Sequence, residues 1–146
     1  MTRLFKYALL TVLIGLLTGC ASLQSTRAPD ADLSRIKTIH VQKLEGEDAD
    51  IDLLIAKRLT ALGYQVTTSA AARPDHEVDA TLTYVDRWMW DITMYLLRLT
   101  ITLRDGREDT ILAVGESYRP SLQRRSPEVM VEEVLDDIFQ RKAEAK

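Results

Sequence analysis

Side chains suited to acid–base chemistry gather in two places. Glu132, Glu133, Asp136 and Asp137 lie within one acidic stretch, spaced so that pairs of carboxylates share one face of a helix. Paired carboxylates can divide the roles of acid and base, but an exposed acidic helix face carries the same pattern and is the commoner case. Asp75, His76 and Glu77 offer three metal-binding types in a row. Adjacent residues rarely converge on one ion, so this stretch reads as a solvated loop. His40, the other histidine, falls in a candidate strand among polar neighbours. No phosphate-cradling glycine loop, nucleophile elbow or metal-ligand spacing is found. The expectation is a protein that is not an enzyme, with no catalytic residue, no metal and no dissociable cofactor.

The only cysteine, Cys20, has a different chemistry available. Arg3 and Lys6 precede the apolar run Ala8–Leu17, and Leu17-Thr18-Gly19-Cys20 closes it. A membrane-spanning helix needs roughly 20 apolar residues, so the run fits a secretory signal peptide over residues 1–19. Its end resembles the lipobox of bacterial lipoproteins, an aliphatic residue and two small ones before cysteine. The resemblance implies that the Cys20 thiol takes up diacylglycerol as a thioether and that, after cleavage, its amino group takes a further acyl chain. It also implies placement in the outer membrane facing the periplasm, because Ala21 rather than Asp follows the cysteine. Each buried methylene contributes about 0.8 kcal/mol, and several chains hold where one alone is marginal.

Cleavage leaves 17 basic side chains (19 less Arg3 and Lys6) against 22 acidic ones, a net charge of −5. That balance, without a clustered basic face, excludes nucleic acid as a partner. A lipidated Cys20 also leaves no thiol for disulfide, metal or nucleophilic chemistry.

Both tryptophans and two of the four methionines fall in Asp86-Arg87-Trp88-Met89-Trp90-Asp91-Ile92-Thr93-Met94-Tyr95. Under strand alternation Trp88 and Trp90 continue the face of Ala80, Leu82 and Tyr84. They then either complete the core beneath a helix or, if the strand pair overshoots the helices, present a contact surface. In the second case Trp88, Met89, Trp90 and Tyr95 are the partner-binding residues, rimmed by Asp86, Arg87 and Asp91. A mixed outcome, one tryptophan buried and one exposed, is also open. Arg119, Arg124 and Arg125, before the last predicted helix, are either a solvated loop or a second contact for an anionic headgroup or acidic surface.

The elements that must position these residues follow from periodicity. Residues 20–32 carry Ser22, Gln24, Ser25, Thr26, Pro29 and Asp30 without an apolar period and read as a flexible tether. Ile39 and Val41 alternate with polar residues in a strand over Ile36–Leu44. Ile51, Leu54, Ile55, Leu59 and Leu62 form one stripe of a helix, with Asp48, Asp50 and Asp52 at its positive end and Gly63 closing it. Strands are expected at Tyr64–Thr68, from Ala80, at Tyr95–Leu103 (inward Tyr95, Leu97, Leu99, Ile101, Leu103) and at Ile111–Tyr118. Asp105-Gly106 is the hairpin turn, and Gly115 marks a bulge or close crossing. Ser126-Pro127-Glu128 opens a final helix with Val131, Val134, Leu135, Ile138 and Phe139 inward, and residues 141–146 fray.

These elements predict one α+β domain over 33–146: a mostly antiparallel sheet of about five strands with two amphipathic helices packed on one face. With the lipobox, Ala61-Leu62-Gly63-Tyr64 and Val78-Asp79-Ala80-Thr81-Leu82, the arrangement resembles the small envelope-lipoprotein scaffold of TolB amino-terminal domains, the lipopolysaccharide-assembly lipoprotein and YajG-like lipoproteins. The resemblance spans about Ile36 to Phe139 and implies a scaffold that binds or chaperones partners. The expected function is a lipid-anchored accessory, assembly or adapter factor of an envelope complex, bound to membrane through lipid and to an envelope protein through its surface. The alternative is a carrier holding a lipid or other apolar ligand between helices and sheet.

Overall fold

A computed structural model describes residues 20–46 and 49–140. The predicted signal peptide, Asp48 and the tail expected to fray lie outside these residues.

Among them, six strands form one sheet: β1 Ser22–Arg27, β2 Thr38–Gln42, β3 Gln65–Ser69, β4 Ala80–Trp90, β5 Met94–Asp105 and β6 Ile111–Tyr118, in the order β1-β6-β5-β4-β2-β3. Helix α1 spans Ile51–Ala61 and α2 spans Pro127–Gln140. The α+β class stands, but the sheet has one strand more than expected and is mixed. β2 runs parallel to both β3 and β4, and the other pairs are antiparallel. The β2–β3 pair follows from the connection, because strands joined through a helix return in the same direction, and β4 then crosses to the other side of β2.

The added strand, β1, occupies the segment read as a tether. It was hidden because an edge strand on a half-solvated sheet needs no apolar alternation. Its inward residues are polar: Ser25 donates to the Asp137 carbonyl at 3.1 Å, and Arg27 donates to the Ile138 carbonyl through Nε at 2.9 Å and Nη2 at 2.5 Å. Arg27 thus ties β1 to a carbonyl near the C-terminal end of α2, where partial negative charge accumulates.

Both helices cover one face. Ile51, Ile55 and Leu59 of α1 and Met130, Val131, Val134, Leu135 and Ile138 of α2 are buried against Ile39, Val41, Leu82, Tyr84, Leu99, Ile101 and Leu103 of the strands. Gly63, at φ 97°, ends the first helix as expected. Asp50 precedes α1 in the left-handed region with no side-chain cap bond. Gly115 is the close crossing: a Cβ there would lie 2.7 Å from Val134 Cγ1 and 2.9 Å from Ile138 Cδ1. Arg58 of α1 grips Asp136 of α2, with contacts of 2.5, 2.6 and 3.0 Å.

The other face of the sheet is open except where the chain after β3 doubles back across it. There His40 is buried, its ring between the Thr67 hydroxyl and the Ala71 carbonyl, each at 3.0 Å.

Register brings several features to one end of the sheet. Ser22 at the start of β1 pairs with Tyr118 at the end of β6, and Tyr118 pairs with Arg98 of β5, near the β4–β5 turn. Cys20, the β4–β5 turn and the first turns of both helices therefore share that end. The turn between β5 and β6 occupies the other.

Candidate contact surface

β4 and β5 are the longest strands, at 11 and 12 residues. β2 accompanies β4 only as far as Leu82, and β6 accompanies β5 only as far as Arg98. Beyond Arg87 and Arg98 the hairpin continues without lateral strands, through the pairs Trp88–Leu96, Met89–Tyr95 and Trp90–Met94. This two-stranded arm overshoots the neighbouring strands.

The arm begins at a bulge. Arg87 pairs with Arg98 but Trp88 pairs with Leu96, so Leu97 is the extra residue, and its carbonyl accepts from the Arg119 amide at 2.8 Å. An extra residue shifts every side chain beyond it to the opposite face. The inward series expected on β5 is corrected accordingly: Leu96 is the buried residue in place of Leu97, and Tyr95 faces away from the core cluster yet is buried beneath Arg124, so it is not part of an exposed contact surface.

The two tryptophans part company. Trp88 is half-buried against the core, its Nε1 donating to Asp86 Oδ2 at 2.7 Å. Trp90 is 70% exposed, Ile92 88%, Met94 59% and Met89 45%. Between the arm and the loop after β2 lies a cleft of ≈ 460 Å³ lined by Leu44, Glu45, Gly46, Ala49, Trp88 and Met94, with Asp86 at its edge.

Of the arginines read as a basic loop, two have partners. Arg124 Nη2 donates to Asp91 Oδ2 at 2.7 Å, Nη1 to Thr93 Oγ1 at 2.8 Å and Nε to the Ser121 carbonyl at 3.1 Å. Its guanidinium also stacks over the Tyr95 ring at 4.2 Å. The Ser121 hydroxyl donates to the same Asp91 oxygen. This donor and the Arg124 guanidinium hold the Asp91 carboxyl below its ordinary range. Arg119 pairs with Glu133 at 2.6 Å. Arg125 is exposed. The clamp on Asp91 explains how an arm without flanking strands is held in one shape, and it leaves Leu122, 90% exposed, beside the tip. No sequence pattern linked Asp91 to Arg124, since the two lie 33 residues apart.

The acidic stretch of α2 is engaged in structure. Asp136 belongs to Arg58 and Glu133 to Arg119. His76 pairs with its neighbour Asp75 at 3.0 Å in an exposed loop; His40, beneath that loop's start, lines the same shallow cleft but bonds to Thr67 and Ala71 instead. What the arrangement offers chemically is a braced apolar projection.

No known family matches the sequence, and no curated protein does. Solved structures do match. The PelC dodecamer from Paraburkholderia phytofirmans superposes with a TM-score of 0.62 at 17% identity, over 81% of this chain and 97% of that one. A second PelC crystal form, of a point variant, gives 0.61 over 84% and 100%. A PDZ domain protein from Parabacteroides distasonis gives 0.58 at 13% identity, over 84% of this chain and 36% of its own. TolB from Acinetobacter baumannii, the likeness expected from sequence, gives only 0.46 over 32% of its length. The protein thus shares its fold with PelC along nearly the whole PelC chain.

Proposed function

We propose that this chain is a lipid-anchored, periplasm-facing lipoprotein that serves an envelope complex as a non-enzymatic accessory or adapter factor, docking through the braced β4–β5 arm. The observation that carries the reading is the arm itself. Trp90, Ile92 and Met94 are exposed on an element that Arg124 and Ser121 hold rigid through Asp91. Large apolar side chains held in place bind without the entropy cost of ordering them, and an exposed apolar patch of this kind marks a docking surface. The sequence supports anchoring through Leu17-Thr18-Gly19-Cys20, and confinement to a membrane raises the effective concentration of any partner there. PelC is a dodecamer, which makes further copies of this chain candidates for the complex.

Two measurements in intact cells test this reading. Radiolabelled palmitate is expected on the wild type and absent from Cys20→Ala, and a photoreactive residue replacing Met89 is expected to give discrete adducts. Equal labelling of both proteins, or an arm that crosslinks to nothing, overturns it. The carrier alternative draws on the cleft beside Trp88. However, the close fit of Val134 and Ile138 over Gly115 leaves no room between sheet and α2 at that point. Lipid released in native mass spectrometry would favour the carrier.

A further inference from the structure

We infer that the arm docks on the lipid surface itself, dipping its tip into the headgroup region beside the acyl chains on Cys20, so that the domain is held at two points and in one orientation. The inference rests on the lipid-anchored reading above and names the partner of the same arm.

The first argument is the length of chain between lipid and sheet. With β1 paired from Ser22 onward, only Ala21 separates Cys20 from the sheet. A lipidated Cys20 lies at the membrane surface, so the end of the sheet carrying it must lie there too. That is the end from which the arm projects.

The second argument is height. Cys20 stands two residues beyond Ser22, about 7 Å along the strand direction. Ser22 is level with Tyr118 and Arg98, and the Trp90–Met94 pair lies three paired steps beyond Arg87–Arg98, about 10 Å, because the bulged Leu97 adds no step. The base of the turn therefore reaches about 3 Å past Cys20, with Asp91, Ile92 and Thr93 farther still. Interfacial segments bury their apolar faces about 5–10 Å into the headgroup and acyl boundary.

The third argument is the distribution of apolar surface. Met89, Trp90, Ile92, Met94 and Leu122 crowd this end, and Leu23 lies on β1 just after the anchor. At the opposite end, among the described residues, the only exposed large hydrophobic side chain is Ile111. Tryptophan and methionine beside arginine suit an interface where one side is apolar and the other wet. The carboxylate at the tip, Asp91, is neutralised by Arg124, while Arg87 and Arg125 are exposed and free to meet lipid phosphates.

The test uses the full lipidated protein in phosphatidylethanolamine–phosphatidylglycerol vesicles whose acyl chains carry bromine, a contact quencher of indole. Trp88→Phe leaves Trp90 as the only tryptophan, and Trp90→Phe leaves Trp88. The expected result is that Trp90 emission shifts to the blue and loses most of its intensity in brominated vesicles, while Trp88 changes little. Because Trp88 packs on the core, an independent measurement places a photoreactive residue at Ile92, which is 88% exposed, and expects lipid adducts in cells. Protein that floats with the vesicles while Trp90 stays unquenched overturns the inference and leaves the lipid anchor standing. Trp90 that shifts to the blue without quenching, or Ile92 that crosslinks to a second copy or another protein, overturns it in favour of a protein-covered tip. Protein that does not float removes the anchored reading and the inference with it.

Discussion

At the end of the sheet away from the arm, carboxylates hold backbone. Asp79 accepts from the Lys37 and Thr38 amides, each at 2.9 Å, and Asp105 accepts from the Arg107 and Glu108 amides at 2.8 and 2.9 Å. At the arm end the corresponding carboxylate, Asp91, accepts from the Ile92 amide but is held chiefly by the side chains of Ser121 and Arg124. The first arrangement pins backbone, within the β5–β6 turn and from the start of β4 across to the start of β2, and leaves a polar surface. The second braces a long hairpin with a distant loop and leaves apolar side chains in solvent. A domain that places its polar finish at one end and its exposed tryptophan at the other has a direction built into it.

Four tests would break or sharpen this contrast. The largest effect is expected in the middle that carries both ends. Gly115→Val drives a branched side chain into Val134 and Ile138 and should cost about 3 kcal/mol, the upper range for overpacking, measured by denaturant unfolding. Next, Arg27→Ala removes the charged donor to the Ile138 carbonyl and should cost about 1–2 kcal/mol. Faster amide exchange confined to residues 22–27 would show that this side chain seats β1, and with it the position of Cys20.

Third, the two ends should differ in what their aspartates support. Asp79→Asn should lower stability by about 1 kcal/mol, whereas Asp91→Asn should loosen the tip with little change in global unfolding. Backbone donors at Lys37 and then Thr38 hold the Asp79 carboxyl below its ordinary range. A carboxyl depressed in the folded state contributes stability above its unfolded pKa and loses it as pH falls through the folded value. Wild-type stability should therefore decline only below about pH 4, with a shallower acid slope in Asp79→Asn. An unchanged slope would show that the acid sensitivity lies elsewhere. The smallest effect is expected at the tip: Trp90→Ser and Ile92→Ser should change stability by less than about 0.5 kcal/mol, as surface substitutions do. Trp88→Ala, two residues away, should be clearly destabilising in the same melt.

How legible each part was follows from its physics. Both helices announced themselves because each buries one stripe, and Gly63 and Ser126 mark boundaries that local rules describe. The hairpin strands were visible by alternation up to Arg98. Past it, the bulge at Leu97 reversed the facing of Tyr95 and Leu96, and nothing local to that run of leucines signals which one is extra. β1 was unreadable because its inward side chains, Ser25 and Arg27, are satisfied by helix carbonyls more than a hundred residues away. The apolar content of the arm was plain in the sequence. Its brace was not, because an arginine and an aspartate in separate loops carry no spacing rule.

The seat of β1 also determines how the molecule would bear load. A pull on Cys20 away from the domain acts along the axis of a strand whose six residues are each registered against β6. Antiparallel hydrogen bonds run perpendicular to the strands, so such a force shears all the rungs together instead of peeling them one at a time. The Arg27 guanidinium sits at the far end of the strand as the final stop. Mechanically, the first strand is a strap sewn along its full length, and tension entering at the cysteine is shared across the sheet before any part of the core must open.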